Sequence, residues 1–90
     1  MNAPTKPVAI LYFAWIRERV GKSEESLILP AAIGTVADLI DHLAERGGGY
    51  ASAFVTRRTI RCAVNQEFAD QSAAIAPGDE IAFFPPVTGG

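Results

Sequence analysis

The 90-residue chain is 49% apolar and 20% charged, a composition typical of folded globular proteins that excludes an intrinsically disordered one. Its length suits one small core, so we expect a single domain over residues 1–90, of which residues 1–7 are flexible. Eight basic and ten acidic residues give a formal charge of −2, which excludes a general attraction to nucleic acids or to anionic membranes.

The first thirty residues predict a helix between two strands. The apolar run VAILYF predicts a strand over residues 8–13, and the amphipathic IRERV predicts a helix over residues 14–20 that ends at Gly21. A strand over residues 23–29 follows, and its short connection makes it an antiparallel neighbour of the first strand. The apolar start is too short to span a bilayer and lacks the flanks of a signal sequence, so we expect a cytoplasmic protein.

The clearest predicted helix begins after Thr35, whose hydroxyl is expected to cap the first turn, with Asp38 three residues on. Its apolar stripe has helical spacing and comprises Val36, Leu39, Ile40 and Leu43. We expect the helix to end at Arg46, before three glycines that follow a helix and match no phosphate-loop pattern, and so form a mobile cap. Residues 50–59 suggest an ordered turn or a short helix, and the sequence does not distinguish the two.

The second half of the chain predicts three strands. Alternation over residues 60–65 predicts one strand, and a turn at Asn65 and Gln66 leads to a short strand around Phe68. A Pro-Gly-Asp turn at residues 77–79 introduces a last strand over residues 80–84. The order of elements predicts an α+β fold with one major helix packed on one face of a mixed sheet.

The predicted fold leaves the other face of the sheet uncovered. Alternation along three strands assigns to this face Leu11, Phe13, Ala63, Ala82 and Phe84. Phe68 is a further candidate for the same face. Because a contiguous apolar patch on a soluble protein usually marks an interaction site, we expect another protein to bind there.

The sequence shows no convincing catalytic or metal site. Cys62 lies on the inward side of its predicted strand and is expected to be a core residue, and one Cys with one His makes no metal ligand set. His42 lies opposite the apolar stripe of its helix, as a solvated side chain does. Arg57, Arg58 and Arg61 could dock an acidic partner or an anionic ligand, although such a cluster is more often a solvated surface.

The ending FFPPVTGG directs attention to the chain terminus. Glycine has no Cβ, so Gly89 and Gly90 can enter a channel that a side chain would block. Pro85 and Pro86 hold the stem extended, which lowers the entropy lost when it is ordered. We therefore expect residues 85–90 to form an extended tail that presents its terminal carboxylate inside a partner.

With these motifs the sequence resembles the small subunits of molybdopterin synthase, a family of ubiquitin-like, β-grasp sulfur carriers. The resemblance covers nearly the whole chain and is carried by DEIAFFPPVTGG at 79–90, LYFAWIRERVG at 11–21 and AVNQ at 63–66. It implies a β-grasp fold. It also implies that Phe13, Phe68 and Phe84 belong to the apolar surface by which this family contacts its partners.

The resemblance further implies a reaction cycle at the terminal glycine. A partner adenylyltransferase uses ATP to convert the Gly90 carboxylate into an acyl adenylate, and a sulfur-donating sulfurtransferase helps to convert the adenylate into a thiocarboxylate, 1-thioglycine. The large synthase subunit then receives the tail, in a heterotetramer, and the sulfur passes to a pterin precursor of the molybdenum cofactor. The residues implied to thread into that partner are Pro85, Pro86, Val87, Thr88 and Gly89. The chain itself binds no cofactor and has no active site of its own.

Three other functions stay open. A ubiquitin-like modifier would use the same activated glycine to form isopeptide bonds with lysines, and a sulfur carrier for thiamine or transfer-RNA thiolation would use the same carboxyl chemistry. An interaction domain would have glycines that are only a frayed end. The PPVT stem favours the molybdopterin interpretation.

Overall fold

The computed structural model describes residues 6–86, in which five strands form one mixed sheet. The strands are β1 (Val8–Tyr12), β2 (Glu24–Leu27), β3 (Arg61–Val64), β4 (Glu67–Ala69) and β5 (Glu80–Phe84). Their order across the sheet is β2-β1-β5-β3-β4. This order places β5 at the centre of the sheet. β1 and β5 are parallel and the other neighbours are antiparallel.

The helices cover one face of this sheet. The described residues form α1 (Ala14–Val20), α2 (Val36–Ala44) and α3 (Gly48–Phe54), and a 3₁₀ turn spans Arg57–Thr59. The predicted α+β class is confirmed, with α2 as the longest of these helices. α3 packs between α2 and α1 and contacts both. Within residues 6–86 no helix combines the length and the apolar character that crossing a bilayer requires.

Local sequence explains where two of these helices begin and end. The Thr35 side chain accepts a hydrogen bond from the backbone of Asp38, and the Asp38 side chain accepts one from the backbone of Thr35, so α2 has the predicted cap. Gly21 ends α1 with a φ of 90°, a conformation that costs glycine little. α2 stops at Ala44, two residues before the predicted end, because the Arg46 amide bonds to the Leu43 carbonyl and tightens the last turn.

The triple glycine is the junction between α2 and α3. Gly47 precedes α3 with a φ of 75° and Gly48 opens it with a φ of 54°. Gly49 is packed closely, since a Cβ on it would lie 1.8 Å from the carbonyl oxygen of Arg19 in α1. The predicted cap is therefore also the start of a helix, which the sequence showed only as a possibility for residues 50–59.

The core lies between the helices and the sheet. Alternate strand residues point into it, and the buried strand side chains are Val8, Ile10, Tyr12, Cys62, Ile81 and Phe83. The helices contribute the predicted stripe of α2 together with Ile16, Ala53 and Phe54. At the centre, the ring of Phe83 stacks on Tyr12 with centroids 6.3 Å apart and meets Phe54 edge-on at 5.2 Å.

Candidate functional site: the open face and the tail

The face of the sheet opposite the helices is uncovered within the described residues, and its centre is apolar. Polar residues border this centre, namely Glu24, Gln66 and Glu80. The strand register places Leu11 beside Ala82, Ala82 beside Ala63, and Ala63 beside Phe68, and paired residues share a face. We call this surface the open face and define it by Leu11, Phe13, Ala63, Phe68, Ala82 and Phe84. The predicted alternation along β1, β3 and β5 is thus confirmed.

The open face has a small-residue floor and aromatic walls. Ala63 and Ala82 retain only 9% and 8% exposure, although none of the helices in residues 6–86 covers them. Phe13 and Phe84 border a shallow groove over these alanines, together with Pro85. A concave apolar surface of this kind fits a protruding apolar side chain of another protein.

The three predicted contact residues come together from different elements. Phe13 follows β1 with an extended backbone, and its amide bonds to the Phe83 carbonyl at 3.0 Å, so its side chain keeps the strand alternation. Phe68 lies on β4 and is 85% exposed, and its ring centroid is 5.8 Å from that of Phe84. The structure therefore unites Phe13, Phe68 and Phe84 on the open face, and their role in binding stays a prediction.

The tail begins at the open face. Pro85 follows the last residue of β5 and lines the groove, and Pro86 comes next. The predicted roles of Val87, Thr88, Gly89 and Gly90 lie outside the described residues.

Cys62 is buried and is not poised as a nucleophile. Its Sγ donates a hydrogen bond to the Ala69 carbonyl oxygen at 3.2 Å. Burial, and secondarily the carboxylate of Asp70, raises the pKa of the Cys62 thiol. A protonated, enclosed thiol fills space in the core, as the sequence predicted. Within residues 6–86, no three potential metal-ligating side chains converge.

The arginines of the sequence cluster lie beside one groove but have different surroundings. Arg57 forms an ion pair with Asp41, with 2.7 Å between Nη1 and Oδ1. Arg58 and Arg61 are exposed, and Arg61 is paired with Phe84 across the β3–β5 ladder. The cluster is therefore split between Arg57, which forms a surface ion pair within the chain, and Arg58 and Arg61, which form a cationic edge of the open face.

The sequence interpretation missed a polar cluster on the helix side of the sheet. Glu25 lies on β2 opposite Ile10, and its carboxylate accepts hydrogen bonds from Tyr12 at 2.8 Å, Tyr50 at 2.7 Å and Arg46 at 2.7 Å. Alternation along β2 could have revealed it, because Glu25 shares the inward side with Leu27.

The cluster raises the pKa of Tyr12 and lowers the pKa of Glu25. Burial, and then the hydrogen bond to Glu25, raises the pKa of Tyr12. Burial on its own would raise the pKa of Glu25, but the hydrogen bonds from Arg46, Tyr50 and Tyr12 outweigh it and lower that pKa. Glu25 is therefore a charged acceptor that joins β2 to β1 and to the start of α3.

Known proteins are similar to this chain over a range that includes both the open face and residues 85–90. The model of the ThiS family matches residues 10–90. The molybdopterin synthase sulfur carrier subunit of Haemophilus influenzae is 38% identical over 90% of this chain and 96% of its own length, and that of Escherichia coli is 37% identical over 92% and 99%. Among solved structures, the small archaeal modifier protein 1 of H. volcanii is 28% identical, with a TM-score of 0.70, over 91% of this chain and 99% of that one.

These likenesses confirm the predicted ubiquitin-like, β-grasp fold. The family match begins in β1, crosses the whole open face and reaches the last residue of the tail. The chain therefore belongs to the ThiS family.

Proposed function

We propose that this chain is the sulfur carrier subunit of a molybdopterin synthase. The observation that carries the proposal is its likeness, over nearly the full length of both chains, to the H. influenzae and E. coli subunits of that name. The open face and the proline stem that leaves it supply a physical basis for the proposal, because they join a docking surface to the base of a tail.

The reactive group in this proposal is the carboxylate of Gly90. A carboxylate is a poor electrophile, so a partner adenylyltransferase first activates it: a carboxylate oxygen attacks the α-phosphorus of ATP and pyrophosphate leaves. The terminal sulfur of a persulfide on a sulfurtransferase then attacks the acyl carbon and displaces AMP, which gives an acyl disulfide. A thiol reductant cleaves its S–S bond, which frees the sulfurtransferase and leaves a thiocarboxylate, 1-thioglycine, at the terminus. Activation turns an oxygen that leaves with difficulty into one that departs readily.

The rest of the chain delivers the sulfur at the terminus to the large synthase subunit. The open face supplies the docking free energy to the large synthase subunit, and the tail carries the sulfur to the pterin precursor bound there. Residues 85–90 span at most about 20 Å when extended, so the acceptor site lies within that distance of Phe84. Docking makes the transfer effectively intramolecular within the complex.

In this proposal the chain donates sulfur but does not catalyse its transfer. The acid–base groups and the ATP site belong to the partners, and the chain binds no cofactor of its own. Two carriers and two large subunits form the proposed heterotetramer.

Intact-mass spectrometry tests the proposed chemistry. After incubation with the adenylyltransferase from the same organism, ATP and a sulfur donor, the mass of the chain should rise by the difference between sulfur and oxygen. A chain that lacks Gly90 is the matched control and should show no rise. An unchanged mass, with partners that are active on another carrier, would contradict the proposal.

A protein modifier is the second candidate, favoured by the likeness to the small archaeal modifier protein 1 of H. volcanii. A modifier joins its terminal glycine to lysines and produces covalent ladders on a denaturing gel of cell extract, whereas a dedicated sulfur carrier does not.

A role in thiamine synthesis or transfer-RNA thiolation is distinguished by a strain from which this protein has been deleted. If the protein has that role instead, the strain would still grow on a medium that requires a molybdoenzyme.

A further inference from the structure

Three of the eight basic residues lie within five positions of the sequence, and the structure gives them different surroundings. Arg57 is engaged by Asp41, and its backbone carbonyl accepts a hydrogen bond from Gln71 at 2.8 Å. Arg58 and Arg61 are exposed. Within residues 6–86, neither of their guanidinium groups has a carboxylate within ion-pair distance.

Arg61 lies at the edge of the open face. It is the ladder partner of Phe84, and with Phe68 and Phe84 it surrounds one surface depression. Its Nη1 donates a hydrogen bond to the backbone carbonyl of Arg58 at 3.3 Å, which ties the two residues together. We call Arg58 and Arg61 the arginine border. It adjoins the end of β5, where Pro85 begins the tail.

The surroundings of the arginine border leave a local excess of positive charge. One carboxylate, that of Asp70, lines the same groove as Arg58 and Arg61. It accepts hydrogen bonds from the hydroxyl and, at 2.9 Å, the backbone amide of Ser72, and these bonds lower its pKa. One negative charge beside two positive ones gives a cationic spot on a chain whose formal charge is −2.

We propose that the arginine border is a specificity element of the docking surface, and that the protein which covers the open face presents aspartate or glutamate side chains opposite Arg58 and Arg61. This inference rests on the proposed function, because it concerns the protein that receives the tail. A protein fits this site better than a free anion does, since the border continues into aromatic surface that only apolar side chains would cover.

A contact between the arginine border and carboxylates of the partner would also fix how the partner is oriented. A guanidinium can bind a carboxylate through two parallel hydrogen bonds, which sets the orientation of the partner as well as attracting it. Because Arg61 lies beside the residue that precedes the prolines, such a contact aligns the partner with the base of the tail. An uncharged partner surface would leave the guanidinium groups desolvated without a carboxylate, which disfavours incorrect partners.

Titration calorimetry of the full chain with the purified large synthase subunit from the same organism tests the inference. We expect Arg61→Glu to weaken binding about tenfold or more at low salt and to reduce the salt dependence of the affinity. Arg61→Gln should have a smaller effect in the same direction. Lys6→Glu is the matched control, because it makes the same charge change at the other end of the sheet, beside Gly78, and should change the affinity by less than about twofold.

The results separate this inference from the proposed function. If the unmodified chain binds and Arg61→Glu behaves like Lys6→Glu, the arginine border is not a specificity element and the proposed function stands. If the unmodified chain does not bind the large subunit, the proposed function fails and this inference fails with it. Should thermal unfolding show that Arg61→Glu is unstable, Arg58→Glu on the exposed 3₁₀ turn decides by the same comparison.

Discussion

At the scale of single residues, Gly49 shows how one missing side chain sets the packing of two helices. The carbonyl oxygen of Arg19 occupies the position that a Cβ on Gly49 would need. Backbone atoms cannot move aside as the end of a flexible side chain can. α3 can therefore approach α1 this closely only because residue 49 is glycine.

We expect Gly49→Ala to lower the free energy of unfolding by about 3 kcal/mol, because α1 and α3 must separate to admit a methyl group. Urea denaturation measures the loss. Gly34→Ala is the matched control: nothing lies within 4 Å of its hypothetical Cβ, so we expect between no change and a gain of about 1 kcal/mol. Equal losses in both variants would contradict the packing argument.

At the scale of elements, the inward carboxylate of Glu25 distinguishes β2 from an ordinary edge strand. An exposed edge can pair with a strand of another molecule. Here the inward charge of Glu25 is satisfied only when Tyr12, Tyr50 and Arg46 surround it. The cluster therefore stabilises β2 only in its native position. An inward charge on an edge strand also disfavours pairing with a strand of another molecule.

Glu25→Gln tests the contribution of this carboxylate. We expect a loss of about 2 kcal/mol in unfolding free energy at pH 7, since the ion pair with Arg46 and one charged acceptor are removed. Glu24→Gln, at the exposed neighbouring position, should change stability by less than about 0.5 kcal/mol. Urea denaturation of both variants makes the comparison, and similar losses in the two would show that the cluster contributes little.

The same variant should alter the dependence of stability on pH. The pKa of Glu25 in the folded chain lies below its ordinary value of 4.5, so its contribution is fully present above 4.5 and is lost as the pH falls through the lower folded value. Glu25→Gln should therefore show a shallower loss of stability on acidification. Part of the loss will remain, because hydrogen bonds from Gly34 and Thr35 also lower the pKa of Asp38.

Where the sequence predicted the bounds of an element correctly, residues at or next to its ends determine those bounds. α1 has its predicted bounds because Gly21 can adopt a positive φ, and β5 has its predicted bounds because the turn at residues 77–79 precedes it and prolines follow it. The sequence does not predict α3, because GGYASAF has no capping side chain and no apolar stripe. Its position depends on the contact of Gly49 with α1 and on the burial of Phe54, both of which come from distant parts of the chain.

At the scale of the whole molecule, strand alternation was enough to find the open face. Leu11 shares it with Phe13, and Ala82 shares it with Phe84, because residues two apart along a strand point the same way, a rule that needs no knowledge of contacts. The sequence could not show that Arg61 borders Phe84, because that neighbourhood depends on the register between β3 and β5. Alternation along β2 shows that Glu25 faces inward, but it does not identify its partners, which lie in β1, in the turn after α2 and in α3.

Phe68 is the sharpest test of the open face, because it is 85% exposed and contributes little to the core. We expect Phe68→Glu to weaken binding to the large synthase subunit by more than about 1 kcal/mol, as for an aromatic interface residue. Titration calorimetry measures the affinity and thermal unfolding checks the fold. Val55→Glu is the matched control, since Val55 is 75% exposed but follows α3 on the helix side. A similar loss for both variants would remove the evidence for this face.

The central place of β5 also has a mechanical consequence. A pull on the proline stem acts along β5, whose hydrogen bonds to β1 on one side and β3 on the other lie across the direction of the force. Extraction of the strand would have to shear both ladders together, whereas an edge strand could be peeled away one bond at a time. We therefore expect the fold to resist unfolding when a partner applies force to the C-terminal end of the chain.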